Sequence, residues 1–309
     1  MIKDIARHLL PKKAYSIGRQ CFRRVCRQVD NPPLDEQVFA EILVDHLRLA
    51  TGDIAMVHSS MDRLQLGFSF TRVLPALRGA VGSEGTLLLP ATHLTERPET
   101  WLERGEVFDV RRSPTSMGLL PELARRQRDA VRSLHPTHSV VALGPRAQDL
   151  VGEHHLDIYP CGRLSPYYKI AECEGSIIGL GVDVDVLTSV HCVEDIWRER
   201  FPVTTHRKRV YAATVCDGES RSWQVQTLAA HPRIRWRQML AYMHEHVGAD
   251  LCQRFFIAGR PFYRVEAAAL YARMEELAER GITMYRRGVY RGHPLEPLLS
   301  RLAEKLEER

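Results

Sequence analysis

The chain has 309 residues, of which 44% are hydrophobic and 26% are charged, the composition of a soluble globular protein with a full-sized core. No apolar run approaches the ~20 residues of a membrane-spanning helix, and Pro11, Lys12 and Lys13 interrupt the apolar N-terminus before it resembles a secretory signal. Seven scattered cysteines without a Cys-x-x-Cys pair favour reduced thiols over a disulfide framework or a structural zinc site, so we expect a cytoplasmic protein.

The net charge of +5 is concentrated in one segment. Residues 1–28 contain eight Lys or Arg and a single acid, so residues 29–309 carry a net charge of −2. No basic stripe with interleaved aromatics runs through this body, which argues against a nucleic-acid partner. The apolar residues among the cations predict a basic amphipathic arm over residues 1–32. The arm either packs on its own domain or contacts a partner protein or the inner face of a membrane.

The first two thirds of the chain alternate between amphipathic segments and short, continuous apolar runs. The amphipathic segments, read as helices, are 35–50, 71–82 and the second half of 113–130. The apolar runs, read as buried strands, are 53–60, 85–91, 139–144 and 175–182. This alternation predicts an α/β fold whose mixed, largely parallel central sheet is sandwiched by helices.

The last third changes character. Residues 207–229 alternate around "CDGES" and predict a β-hairpin insertion, and residues 255–265 predict one further strand. Residues 266–281 predict a helix ending at Gly281, and 289–309 a final amphipathic helix.

Two small polar segments could bind an anion. "HSSM" (58–61) ends a predicted strand, and "SPTSMG" (113–118) opens a predicted helix. Backbone N–H groups at such turns can hold a phosphate, although both segments could also be ordinary capped turns. Neither GxGxxG, GxxxxGK[ST] nor GxSxG occurs, which argues against a nucleotide site of the usual kind and against a serine hydrolase.

A histidine pair precedes the 139–144 strand. His135 and His138 in "RSLHPTHS" have metal-ligand spacing, but no further ligands stand at a persuasive distance in sequence. We therefore expect no metal site.

The segment "TSVHCVEDI" (188–196) follows a predicted buried strand. Thr188 or Ser189 is a natural helix N-cap, and His191 and Glu194 fall on neighbouring ridges of the helix. The pair is either a base with its orienting carboxylate or an ordinary surface pair. Strand ends of open α/β sheets are where such folds carry their chemistry.

The order and spacing of these motifs resemble those of the aminoglycoside 3-N-acetyltransferase family, also called antibiotic N-acetyltransferases. The resemblance covers residues 35–200 well and the rest loosely. It rests on "MVHSSM", "LRGAVGSEGTLLLPA", "SPTSMGLLPE", "VRSLHPTHSVVALG", "GRLSPYYKI" and "IIGLGVDVDVLTSVHCVED". It implies a metal-independent N-acetyltransferase using acetyl-CoA, with its catalytic domain over residues 33–288.

The resemblance also assigns roles to individual residues. It implies that His191 is the general base and Glu194 its partner. It places Asp185 and His135 on the substrate side. The residues implied to hold coenzyme A are His58, Ser59, Ser60, Thr115, Ser116, Met117 and Gly118. Imidazole suits the task because its ordinary pKa of ~6.5 leaves it mostly neutral at pH 7.

The acceptor amine is open. The basic segment "WRERFPVTTHRKRV" (197–210) favours an amino sugar carrying an anionic group, such as a nucleotide-linked one, because acceptor and cleft charges would then complement each other. A polycationic aminoglycoside is the alternative, which would make the chain a resistance enzyme. A non-catalytic scaffold recruited through the basic arm is the second alternative, and a homo-oligomer is compatible with each of these.

Overall fold

The computed structural model describes residues 32–231, 234 and 237–285. The arm predicted over residues 1–32, apart from its last residue, and the helix predicted over 289–309 lie outside the described residues. The chain divides into two units, Met1–Pro33 and Leu34–Arg309, and every element below belongs to the second.

The described residues contain ten strands and ten mostly short α-helices. The strands are β1 Ile54–Ser59, β2 Thr86–Pro90, β3 Phe108–Asp109, β4 Val131–Arg132, β5 Val140–Leu143, β6 Ser176–Leu180, β7 His206–Cys216, β8 Ser222–Ala230, β9 Cys252–Ile257 and β10 Arg260–Glu266. The helices are α1 Glu36–Glu41, α2 Met61–Leu64, α3 Val73–Val81, α4 Pro98–Arg104, α5 Leu119–Arg125, α6 Ala147–Val151, α7 Pro166–Glu172, α8 His191–Trp197, α9 Met239–Tyr242 and α10 Ala267–Glu279. None of the helices in these ranges is long and apolar enough to cross a bilayer.

The main sheet has seven strands in the order β4-β5-β2-β1-β6-β10-β9. Only β1 runs parallel to its neighbours, β2 and β6, and every other pair is antiparallel. The sheet is therefore mixed, as predicted, but the expectation that it is largely parallel was wrong. A continuous apolar run indicates a strand buried on both faces, and such burial says nothing about strand direction in a sheet covered on both sides.

Both faces of this sheet are covered by helices. Met56 and Ile177 point into a core shared with α6, α7, α8 and α10. Ala55 and Ile178, their neighbours in sequence, point into a second core shared with α1, α3 and α5. This alternation at period two confirms the predicted sandwich.

The predicted hairpin insertion is also present. Strands β7 and β8 pair antiparallel from Val210–Leu228 to Cys216–Ser222, and the short β3 adds to β7 in a separate three-stranded sheet. This sheet has its own small core, which includes Trp101, Phe108 and Val215.

The single strand predicted over 255–265 is instead a second hairpin, formed by β9 and β10. Its two central turn residues, Ala258 and Gly259, both have positive φ, 45° and 71°. Such a pair is what a two-residue hairpin turn with a right-handed strand twist requires. The prediction failed because alanine in the first turn position is a weak turn signal.

Candidate active site

Three loops meet at one edge of the main sheet, where β1, β2 and β6 end. Ser59 of β1 is paired in register with Leu180 of β6, and the Ser60 amide donates to the Leu180 carbonyl at 2.9 Å. The Ser189 hydroxyl contacts the Met56 sulfur at 3.5 Å. The turn formed by residues 58–60, called the HSS turn below, therefore lies beside the loop that leads to His191, as expected for motifs at neighbouring strand ends.

The 113–118 loop is held at the same edge. The hydroxyls of Thr115 and Ser116 donate to the carbonyl of Thr92, just beyond β2, at 3.0 and 3.1 Å. The Ser116 hydroxyl also lies 2.7 Å from the Leu94 carbonyl. These two side chains are thus engaged in fixing the loop, whereas Met117 and Gly118 are exposed beside them.

Helix α8 begins at His191 itself. Thr188 and Ser189, the predicted N-caps, lie in a 3₁₀ turn, Thr188–Val190, and no side chain caps the helix. The cap prediction was wrong because this 3₁₀ turn carries the chain directly into the helix. His191 consequently occupies the first turn, where its ring can reach the next ridge of the helix.

His191 and Glu194 form the pair that the spacing predicted. His191 Nδ1 lies 3.0 Å from Glu194 Oε2, and the side chains are 15% and 1% exposed. Glu194 Oε1, the other carboxylate oxygen, accepts a hydrogen bond of 2.7 Å from the Tyr285 hydroxyl. A buried carboxylate is tolerated only with partners of this kind. Burial, followed by the charge of Glu194, raises the pKa of Tyr285, which keeps its proton on the phenol.

The contact made by the second imidazole nitrogen, Nε2, determines which ring nitrogen of His191 carries the hydrogen. His191 Nε2 lies 3.0 Å from Nη1 of Arg237, whose other nitrogen Nη2 donates to the Asp185 carbonyl at 3.3 Å. A guanidinium only donates, so Nε2 must be the acceptor and Nδ1 must carry the hydrogen shared with Glu194. This tautomer presents a basic nitrogen away from the carboxylate, as a general base requires.

The HSS turn supplies further uncommitted polar atoms. The His58 ring is buried, its Nε2 has no hydrogen-bond partner among the described residues, and burial lowers its pKa to about 4. The Ser59 and Ser60 side chains are half-buried, and no hydrogen bond of their hydroxyls is found within the described part of the chain. The Ser60 amide, by contrast, is already bound to Leu180. The side chains of this turn are therefore more available to a ligand than the Ser60 backbone.

The two residues assigned to the substrate side lie in different surroundings. Asp185 is exposed, and its backbone carbonyl accepts from the Arg237 side chain that also contacts His191. Partial desolvation, followed by the charge of Asp183, raises the pKa of Asp185. His135 has no exposed surface. Its Nδ1 accepts from the His138 amide at 3.1 Å and its Nε2 lies 3.3 Å from the Thr227 hydroxyl. In this conformation His135 is buried and holds the 135–139 loop, and its place on the substrate side stays a prediction.

A second histidine–carboxylate pair starts from the same helix. Asp195, next to Glu194, lies 3.3 Å from His206 Nε2 and accepts the Cys161 amide at 2.7 Å. Burial raises the pKa of Asp195 and lowers that of His206 to about 4, so burial opposes the charged form of each group. Among the described residues, no group of three or more metal-ligating side chains is arranged to hold a metal ion.

Comparison with known proteins adds to this geometry. The family described as aminoglycoside 3-N-acetyltransferase matches residues 56–279. The chain belongs to this family. The match includes every predicted site residue, and the predicted family resemblance is confirmed.

Individual aminoglycoside N(3)-acetyltransferases are similar over shorter stretches. Enzyme VIII of Streptomyces fradiae is 33% identical over 59% of this chain. The matched stretch covers 66% of that enzyme, just under two thirds of its length. Enzyme III of Serratia marcescens is 30% identical over 70% of this chain and 77% of its own. The solved structure of AAC-IIIb in a binary complex with CoASH is 25% identical, with a TM-score of 0.63 over 82% of this chain and 99% of that one. The fold is thus shared with this family.

Neither Arg237 nor Tyr285 was among the site residues predicted from the sequence. Both lie beyond residue 200, where the sequence resembles the family only loosely. They meet because Arg237 forms an isolated antiparallel bridge with Tyr285, and the Gln238 amide donates to the Met284 carbonyl at 2.8 Å. No local sequence pattern predicts such a long-range pairing. At Tyr285 the sequence offers only an aromatic residue soon after the end of a predicted helix.

Proposed function

We propose that the chain transfers an acetyl group from acetyl-CoA to the amine of an amino sugar or aminoglycoside, with His191 as general base. The observation that carries the proposal is the chain of contacts from the Tyr285 hydroxyl through Glu194 to His191 Nδ1, which leaves Nε2 without a proton. Membership of the family and the likeness to AAC-IIIb bound to CoASH support acetyl-CoA as the donor.

The reaction needs only one proton acceptor. The neutral amine attacks the thioester carbonyl, forming the C–N bond, while His191 Nε2 takes the amine proton. Glu194 stabilises the imidazolium through Nδ1–H, the role that a carboxylate has in a catalytic triad. The tetrahedral intermediate then breaks its C–S bond, and the proton passes to the departing CoA sulfur. The products are the N-acetylated amine and the free thiol.

Coenzyme A would lie along the sheet edge where β1 and β2 end. The free hydroxyls of Ser59 and Ser60, together with the unpartnered His58 Nε2, offer hydrogen bonds to the pantetheine arm or its phosphates. Met117 offers an exposed apolar side chain on the other side, and Gly118 has open space beside its α-carbon. Thr115 and Ser116 act indirectly, by fixing that loop to Thr92.

Two acceptor classes compete. The names of the related enzymes favour an aminoglycoside. Part of the basic segment that suggested an anionic acceptor is neutralised, because Arg207 and Arg209 pair with Glu99 and Glu103 of α4 at 3.6 and 3.2 Å. An anionic group on the acceptor would therefore have to be bound by residues nearer to His191.

The proposal is tested by thiol release from acetyl-CoA with kanamycin, gentamicin, glucosamine, glucosamine 6-phosphate and a nucleotide-linked amino sugar as acceptors. We expect turnover with at least one of them. His191→Ala should lower kcat at least ~100-fold, the usual scale for a lost general base, while CoA binding by calorimetry is unchanged. His244→Ala serves as the matched control, because His244 is exposed in the π-helical turn Met243–Val247 that follows α9.

Two results would contradict the proposal. Turnover that survives His191→Ala removes this histidine from the mechanism. CoA binding without turnover of any acceptor favours a non-catalytic scaffold.

A further inference from the structure

Arg237 carries a positive charge at the reacting nitrogen of the candidate base. Its side chain is exposed, and its contacts are His191 Nε2 at 3.0 Å and the Asp185 carbonyl at 3.3 Å. Neither partner is a carboxylate, and within the described part of the chain no carboxylate lies at ion-pairing distance from Arg237. Because a guanidinium does not lose its proton in proteins, this charge is permanent.

Most of the acidic side chains around Arg237 are already paired with other residues. Asp183 is held by Arg254 through two contacts of 2.8 and 2.7 Å. Glu194 is held by His191 and Tyr285. Asp185 remains, and its carboxylate already experiences the positive charges of Arg63 and Arg237. Among the described residues around His191, an incoming polycation would thus find little uncompensated negative charge.

Arg237 and the acceptor amine compete for one atom. Nε2 has a single lone pair in the ring plane, so it cannot accept the guanidinium hydrogen and the amine proton together. The acceptor must therefore move Arg237 away before proton transfer. A cationic acceptor would meet repulsion, whereas an anionic oxygen group would give the guanidinium a stronger, bidentate partner than a neutral imidazole.

We propose that Arg237 is a specificity-determining residue that binds an oxyanion, phosphate or carboxylate, on the acceptor close to its reacting amine. In the free enzyme, Arg237 holds His191 in the base-competent tautomer. When the acceptor binds, the guanidinium turns to the oxyanion and uncovers Nε2. This inference rests on the proposed acetyl transfer for its physiological meaning, but the oxyanion site can be detected without turnover.

The first experiment observes His191 directly. Protein labelled with ¹⁵N-histidine and free of CoA is titrated with inorganic phosphate, and the His191 signals are assigned with the His191→Ala protein. We expect a saturable change of the Nε2 resonance as Arg237 leaves it. Arg237→Gln should weaken this response at least ~10-fold, and Arg237→Lys should retain part of it, because lysine keeps the charge but not the planar fork.

The matched control is Arg209→Gln, which removes an exposed arginine already paired with Glu103. It should respond to phosphate like the unchanged protein. The proposal is overturned if phosphate leaves the His191 signal unaltered, or if Arg237→Gln responds as strongly as Arg209→Gln.

The second experiment measures kcat/KM for glucosamine, glucosamine 6-phosphate and kanamycin. We expect Arg237→Gln to lower the ratio of phosphorylated to unphosphorylated acceptor at least ~10-fold. If Arg237→Gln lowers turnover of all acceptors equally, acetyl transfer stands and the oxyanion role fails. If no acceptor is acetylated while phosphate still acts through Arg237, the oxyanion site stands and acetyl transfer fails. An amino sugar with a carboxylate, galactosaminuronic acid, replaces glucosamine 6-phosphate in a further assay, which distinguishes a carboxylate-binding from a phosphate-binding role of Arg237.

Discussion

The Tyr285 hydroxyl donates to Glu194 on the carboxylate oxygen that His191 does not contact, at 2.7 Å. The two contacts leave neither oxygen of this buried carboxylate unpaired. They also orient it, because a carboxylate held through both oxygens cannot rotate away from His191. The three side chains come from α8 and from the end of the described chain, nearly a hundred residues later.

Glu194→Gln should lower kcat at least ~100-fold. The amide oxygen can still accept from His191 Nδ1, but it lacks the charge that stabilises the imidazolium. The measurement is steady-state thiol release with a saturating acceptor. Glu199→Gln, which changes an exposed glutamate beyond α8, is the control, and equal activity of the two variants would exclude the assigned role of Glu194.

Tyr285→Phe should lower kcat by about 10-fold and destabilise the protein by about 1–3 kcal/mol, because the Glu194 oxygen is left buried without a donor. Urea unfolding and thiol release on the same samples separate the two effects. Tyr211→Phe removes a hydroxyl in the second sheet and should leave kcat unchanged. Full activity of Tyr285→Phe would show that His191 alone orients Glu194.

Cys192→Ala should retain turnover. Cys192 follows His191 directly but is fully buried, and its sulfur faces the Tyr271 hydroxyl at 3.6 Å. A nucleophile must reach the substrate, and this thiol does not. Intact-mass spectrometry after mixing with acetyl-CoA alone should reveal no acetylated protein. A mass increase of one acetyl group that is lost in Cys192→Ala would instead establish a covalent route.

Gly179→Ala should destabilise the fold by about 1–3 kcal/mol or more, the scale of overpacking a core. A methyl group at Gly179 would lie 2.1 Å from Cε1 of Tyr263, whose ring covers this part of β6. Gly79→Ala is the matched control, because the helical Gly79 has open space around it and alanine there is expected to be neutral or stabilising. Urea midpoints of both variants provide the comparison.

Acid should destabilise the protein as the pH falls below about 6.5. Burial lowers the pKa of His138 and of His154 to about 3, and that of His58 to about 4. The unfolded chain, with an ordinary histidine pKa of ~6.5, therefore binds protons before the native state does. Each such histidine contributes up to about 1.4 kcal/mol per pH unit between these values.

The check is urea unfolding at pH 7.5, 6.5 and 5.5. His154→Gln should reduce the pH slope, whereas His244→Gln, at an exposed position, should not. A flat profile over this range would contradict the buried, neutral state of these rings.

The strands around the site could be predicted because each is a short apolar run bounded by turn residues. β1, β2, β5 and β6 were expected within a residue or two of their observed bounds. Their directions, and the β9–β10 hairpin, depend on long-range pairing and turn geometry that a one-dimensional pattern does not encode.

The residues of the candidate site also divide into those predictable from local spacing and those brought together by long-range pairing. His191 and Glu194 lie within one helical turn, so spacing alone brought them together. Arg237 and Tyr285 reach the pair only because two distant segments form a single bridge. The hydroxyls of Thr115 and Ser116 illustrate the converse: their place in a motif suggested ligand contact, whereas in the fold they tether a loop.

The position of Tyr285 also bears on how far the proposed catalytic unit of this chain extends. The family match stops at residue 279, at the end of α10. A truncation at that boundary would keep His191 and Glu194 yet remove the phenol that completes their network. If the proposed mechanism holds, the working unit of this chain therefore extends beyond the family match at least to Tyr285.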